Sequence, residues 1–332
     1  MNNIFVIILL LVAAFPGRTI ADNYGGEFLN LPVGAKAISM GGAFGPLSDD
    51  ASSLYWNPAG LGLLSTPQMM LAHTVLYDGL ANHDYLSMTW PVTKSLTVGA
   101  GWIRLGIDDI SRFSYTVGTP PIGSFGDNEN AFLLSAGKKM DKSLLQRPFK
   151  ILVGGSMKYI YEKLDDKQAT GLGLDMGLRV DIKLADWFIE RAGSQPLKGM
   201  LPVALGNSYL GNVSLSLVAQ DIGGTSIAWN TSTQHNDVRS SIYKMGLAYK
   251  QPFAPLKTAL TLAWEGSSDN NYDSGLGAEI RYRDMIAFRT GRFLNKPTFG
   301  AGFCVWRITV DYAYNSHDLG NTHRIGVSYR LR

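Results

Sequence analysis

The sequence predicts an all-β fold, a transmembrane antiparallel β-barrel of about 14 strands. Three observations carry this. Apolar residues recur at every second position over stretches of ten to thirteen residues, long enough to cross a bilayer at a tilt. Downstream of the first residues, no apolar run approaches the roughly 18 that a membrane helix needs. The chain opens with a short apolar core that reads as an export signal.

The opening runs Met1-Asn2-Asn3, then apolar residues from Ile4 to Phe15, then Pro16-Gly17 and Thr19-Ile20-Ala21. A brief apolar core, a breaker and small residues describe a signal peptide over 1–21, cut near Ala21. The single Cys304 fits no disulfide framework, since a bridge needs two. Glycine is abundant, 37 of 332 residues, against a typical share of roughly 7%. The net charge of +3 leaves no basic footprint for a nucleic acid.

The clearest strand lies at 169–183. Leu172, Leu174, Met176, Leu178, Val180 and Ile182 alternate with Gly171, Gly173, Asp175, Gly177, Arg179 and Asp181. Three glycines in one helix would each cost about 1 kcal/mol against alanine, so a strand is the cheaper reading. The same alternation places strands near 68–76, 84–91, 95–104, 130–139, 150–162, 212–221, 239–250, 256–266, 273–283, 285–292, 297–304, 307–315 and 323–331. An even number puts both barrel ends on the periplasmic side. Period two alone does not say which face is inside. Strand length, aromatics such as Tyr243 and Tyr249 near strand ends, and an expected alternation of short and long connections favour a barrel in lipid over a soluble sandwich. The long connections on this reading are Leu105–Asn128, Gly223–Asp237 and Ser316–Thr322; residues 184–211, with Trp187, Phe188 and Ile189, form a small interfacial segment.

Residues 22–65 do not alternate. They contain Met40-Gly41-Gly42-Ala43-Phe44, Asp49-Asp50-Ala51 and Asn57-Pro58-Ala59-Gly60-Leu61. Pro58 drives Asn57 out of the helical region, and Asp49 or Asp50 can cap a short helix from Ala51. The ordered run from Gly34 to Leu61 resembles the N-terminal hatch of the FadL-type outer-membrane proteins, most closely their PorV/PorQ branch. The last strand, Arg324-Ile325-Gly326-Val327-Ser328-Tyr329-Arg330-Leu331, resembles the C-terminal signal by which outer-membrane barrels engage the barrel assembly machinery. The resemblance implies a hatch over 22–65 inside the lumen of a barrel over 66–332, in the outer membrane of a Gram-negative-type bacterium.

On that reading the hatch residues are Gly41 and Gly42 as a flexible pair, Asp49 and Asp50 as anchors to the lumen, and Asn57 with Pro58. The lumen charges are Lys158, Asp175, Arg179, Glu279, Arg281, Arg289, Arg307 and Asp311, which need partners because an unpaired charge away from water is costly. They can equally pair between neighbouring strands and only hold the barrel. The expected loop 105–128 offers an apolar capture surface from Ile107, Ile110, Phe113, Tyr115, Ile122 and Phe125. The resemblance implies passage of hydrophobic, fatty-acid-like molecules, or alternatively a platform holding exported protein in type IX secretion. The partners are then membrane lipid and either a hydrophobic small molecule or an exported protein. No cofactor is expected, and none of the five histidines falls at metal-ligand spacing with cysteine or acid.

Overall fold

The computed structural model describes residues 25–114, 118–144, 147–188, 210–232, 235–269 and 274–331. The signal peptide expected over 1–21 lies outside them, as does most of 184–211. What is described there is a helix, Leu184–Phe188.

Sixteen strands are described: β1 Gln68–Leu76, β2 Ala81–Pro91, β3 Leu96–Arg112, β4 Gly123–Leu144, β5 Arg147–Leu164, β6 Lys167–Lys183, β7 Asn212–Gln220, β8 Thr225–Trp229, β9 Asn236–Arg239, β10 Ile242–Phe253, β11 Thr258–Ser267, β12 Ser274–Tyr282, β13 Ile286–Phe293, β14 Lys296–Val305, β15 Ile308–His317 and β16 Gly320–Arg330. Fourteen of them pair in antiparallel sequence around a ring. β1 bonds to β16, closing the ends of the chain, and β5 to β6, closing the sheet. Closure leaves no unpaired edge at membrane depth, which lipid would not tolerate. β8 and β9 form a hairpin outside this ring. Where β7 ends, β8 takes its place beside β6 through Ala169–Gly171.

The alternation resolves as a lipid-facing belt. On β6, Leu172, Leu174 and Met176 point outward at 54–66% exposure, while Gly171, Gly173 and Asp175 point in. Leu134, Phe288, Phe299 and Ile325 continue the apolar surface around the barrel. Such a continuous exposed band is far larger than a soluble monomer carries, and lipid is the solvent that accepts it.

Two sequence expectations fail here. Connections do not alternate short and long: β5–β6, β13–β14 and β15–β16 turn within two residues at the rim opposite the barrel termini, called here the far rim. Most of the stretch expected as the loop Leu105–Asn128 is strand, 105–112 being the top of β3 and 123–128 the top of β4. Their pairing runs from Leu96↔Lys138 to Arg112↔Gly123, with a bulge between Ile107 and Ile110. Outside the bilayer the outward face need not be apolar, so the period-two signal stops at Asp108-Asp109 while backbone pairing continues.

Candidate functional site

The lumen is occupied by residues 25–65. Short helices at Ala35–Ser39 and Ser53–Trp56 alternate with 3₁₀ turns at Glu27–Asn30, Gly45–Leu47 and Pro58–Leu63. Small residues let this irregular chain lie against the inner wall backbone to backbone. Its first residues lie near the far rim, where Arg239 donates to the Gly26 carbonyl at 2.9 Å and to Asn30 Oδ1 at 2.6 Å.

Asn57 and Pro58 are the firmest seat. Asn57 is fully buried and extended, with φ of −161°. Its Oδ1 accepts from the Ala59 N–H at 3.1 Å, and its Nδ2 donates to the carbonyls of Gly45 at 3.2 Å and Leu178 at 3.4 Å. Under this turn the wall has Gly137, Gly154 and Gly177, where an added Cβ would collide with the turn's own atoms. Opposite, Gly41 (φ 64°) and Gly42 (φ 74°) hold left-handed conformations. Gly41 presses onto the Leu276 and Arg292 backbone and its N–H bonds the Ile38 carbonyl at 2.9 Å. The pair expected to be flexible is instead buried and wedged between β12 and β13.

Asp49 and Asp50 were expected to reach the lumen cations. Their ion-pair partner is Lys36 of the same segment, at 2.6 and 3.2 Å. Asp50 also accepts from the Ser52 N–H at 2.9 Å, just before the short helix. Lys36 is closer because the segment folds back on itself, so the contact braces the segment internally. Its ammonium also lies 5.0 Å from the Phe44 ring centre, a cation–π contact.

The lumen charges form two networks. Toward the far rim, Lys158 bridges Asp175 and Asp221 at 2.8 Å each, and Arg239 binds Asp221 at 2.6 Å. Toward the rim holding the termini, Arg289 bridges Glu279 at 2.6 Å and Asp311 at 2.7 Å, and Arg281 joins Glu279 at 3.0 Å. Arg179 binds Asp181 at 2.7 Å and donates to the Ser48 carbonyl at 2.8 Å, tying wall to segment. Arg307 does not belong to the lumen. β14 and β15 reverse at Trp306-Arg307, and this turn leaves the side chain exposed. Sequence reading missed Lys36, Asp221 and Arg239. Asp221 and Arg239 flank a region without alternation, so nothing marked them as inward.

The supposed capture residues do not converge. Ile107 and Ile110 sit on β3 on either side of the bulge at Asp109 and are half-buried. Phe113 and Ile122 are 62% and 65% exposed at the tip of the hairpin. Phe125 lies under the Arg112 guanidinium at 5.5 Å. Tyr115 is outside the described residues. Pairing into a hairpin spreads these side chains over two faces, which a loop would not have done.

Inside, the apolar residues lie elsewhere. Ile103, Leu133 and Ile160 point inward from β3, β4 and β5 and pack with Phe28, Leu29 and Tyr55 of the segment. At the rim of the termini a polar cavity of about 280 Å³ opens between Lys36, Asp49, Arg281, Arg289, Asp311 and Arg330. Shallow apolar hollows of about 760 and 620 Å³ lie on the outer, lipid-facing wall, where Ala136 and Gly155 leave space between larger neighbours.

No protein-family model matches this sequence, and no curated protein does. Among solved structures, the chain is similar to the toluene transporter TodX of Pseudomonas putida, at 12% identity over 89% of this chain and 96% of that one, with a TM-score of 0.45. It is similar to the translocator domain of the autotransporter NalP from Neisseria meningitidis, at 12% identity over 81% and 89%, with a TM-score of 0.37. It is similar to the KdgM porin in complex with oligogalacturonate, at 8% identity over 80% and 99%, with a TM-score of 0.33. The fourteen-strand barrel rests on the chain's own closed pairing and apolar belt, not on these likenesses.

Proposed function

We propose that this chain is an outer-membrane channel that passes hydrophobic small molecules past its own N-terminal segment. The observation that carries the reading is an apolar patch on the inner face of β3–β5. A barrel that conducts ions lines its lumen with polar groups and water. Here Ile103, Leu133, Leu152 and Ile160 face inward and are at most 1% exposed. An apolar solute moving along this wall exchanges one apolar contact for another, whereas an ion would lose its hydration. The route runs between this wall and residues 25–65, from the far rim, which faces outward from the cell, to the polar cavity on the periplasmic side. Residues 25–65 then act as the hatch, with Asn57-Pro58 and Gly41-Gly42 as its seats. The reading keeps the resemblance of Gly34–Leu61 to the FadL-type proteins.

The test compares uptake of a labelled aromatic hydrocarbon by Gram-negative cells producing the chain, producing Leu133→Asp, or carrying empty vector. Barrel folding is checked by heat-dependent mobility on gels. Faster entry with the wild type, lost in a folded Leu133→Asp barrel, is the expected result. Entry at the empty-vector rate with a folded wild-type barrel would overturn the reading. A protein-binding role has one observation in its favour, Phe113 and Ile122 exposed on the tallest hairpin.

A further inference from the structure

The inner face of β16, β1 and β2 carries a row of polar side chains that neither charge network uses. Thr74 on β1 stands opposite Arg324 on β16 on one side and opposite His83 on β2 on the other. All three are buried, His83 at 1%, Thr74 and Arg324 at 2% exposure. Arg324 donates from Nη1 to Asn315 Oδ1. Its Nε is buried with no hydrogen-bond partner among the described residues, and so is His83 Nε2. No carboxylate among the described residues pairs with Arg324. Asp84, next to His83 in sequence, points outward and is held by His73 at 2.7 Å and Arg104 at 3.5 Å, and Asp318, the acid nearest Arg324 in sequence, is exposed and bound by Lys296 at 2.6 Å. Asp78 sits in the exposed turn above, against Gly320.

An arginine keeps its proton in proteins. A buried charge with no opposite charge beside it is disfavoured far beyond what one neutral hydrogen bond returns. The other buried cations of the wall confirm the rule by contrast, since Lys158, Arg239 and Arg289 each touch a carboxylate. Compensation for Arg324 therefore comes from something other than the described side chains. We propose that Arg324 and His83 form a binding site for a small singly charged anion, a halide or a carboxylate, on the inner face of β16–β1–β2 just inside the far rim. The anion accepts from Arg324 Nε and from His83 in the tautomer that carries hydrogen on Nε2. One arginine matches one negative charge, so a dianion fits less well. The site is independent of hydrocarbon passage, because it stands on a different part of the wall from Ile103, Leu133 and Ile160.

The experiment uses crystals of the full barrel in detergent, soaked in sodium bromide or in bromoacetate, with anomalous scattering recorded at the bromine edge. Thermal unfolding against each anion is measured in parallel on wild type, Arg324→Gln and His83→Phe. A bromine peak within about 3.5 Å of Arg324 Nε is expected. Bromide alone giving the peak identifies a halide site, and bromoacetate alone a carboxylate site. Stability should rise saturably with the bound anion, the unfolding constant falling about a hundredfold at a hundred times Kd. This dependence should vanish in Arg324→Gln and weaken in His83→Phe, which serves if the first variant does not fold. A wild type with no peak from either probe and unfolding indifferent to both anions would overturn the proposal. So would a peak that survives in Arg324→Gln.

Discussion

The two sides of this barrel meet the same buried segment through different contacts, one with an apolar patch among its buried charges and the other through a charge cluster. On one side β3–β6 run 17–22 residues, and the inner face of β3–β5 meets the segment through Ile103, Leu133 and Ile160. On the other, β12–β15 run 8–10 residues and present Glu279, Arg289 and Asp311. Apolar contact is non-directional and degrades gradually as surfaces shift. A charge bridge is directional and fails as a unit when one partner leaves. On the proposed reading the apolar patch of the tall side is thus the surface along which a solute slides, whereas register is fixed by the Arg289 bridges on the short side and by the Asn57-Pro58 seat and the Arg179 contact to the Ser48 carbonyl below that patch.

Breaking the short side should therefore cost most. Arg289→Ala leaves Glu279 and Asp311 buried with one fewer cation, and the expected loss is about 3–5 kcal/mol in urea unfolding from lipid vesicles. A loss under about 1 kcal/mol would mean that Arg281 or water takes over, and the contrast between the sides would collapse. Next comes the tall side. Leu133→Ala removes buried apolar volume and should cost about 2–5 kcal/mol in the same assay, depending on how far the segment relaxes into the space. If that variant also speeds hydrocarbon entry, the sliding surface is located.

A smaller effect is expected at the seat of Asn57-Pro58. Gly154→Ala places a Cβ against Pro58 backbone, which has no rotamer to escape into. Overpacking of this kind costs about 1–3 kcal/mol. In a planar bilayer the variant should conduct ions where the wild type does not, if residues 25–65 are what seals the lumen. Unchanged conductance in a destabilised variant would show a seat without a seal.

The subtlest prediction concerns the top of the tall side. Glu129 and Glu162 stand opposite each other on β4 and β5, three residues beyond the outward aromatics Phe132 and Tyr159, and so above the lipid belt. Burial pushes Glu129 up to about 8, with Asp127, Glu162 and Glu27 adding to it. Burial likewise pushes Glu162 to about 7, helped by Asp237 and Asp127 and opposed by the Gly26 N–H and Arg239. Both folded values lie above the ordinary 4.5, so the stability they contribute is complete below that pH and is lost as pH rises through 7 to 8. Amide protection factors, exchange taken relative to the intrinsic base-catalysed rate at each pH, should fall at the far ends of β4 and β5 between pH 5 and 9, and Glu129→Gln should flatten that fall. Protection that rises with pH would reverse the assignment.

Much of the wall was legible because lipid imposes a period. Where the outward face must be apolar, as at Leu172, Leu174 and Met176, alternation marks both the strand and its orientation. Where strands leave the bilayer the constraint lapses, and the tops of β3 and β4 read as loop. The hairpin of β8 and β9 was invisible for the same reason, being short and fitted to β6 rather than to lipid. In the segment, Asn57 and Pro58 stood out because Pro restricts its neighbour whatever the surroundings. The partner of Asp49 and Asp50 did not, since Lys36 lies 13 and 14 residues away and only the fold-back of the chain brings it near.

By itself the sequence determined a barrel of fourteen strands and a non-alternating segment before it, because backbone pairing and solvent polarity act on each strand locally. The tertiary structure alone decided which charges meet, that Gly41 and Gly42 are clamped rather than loose, and that Arg324 stands without a counter-charge among the described residues. Those outcomes depend on which strands become neighbours when the sheet closes and on how the segment packs within it, and neither is written in the spacing along any one strand.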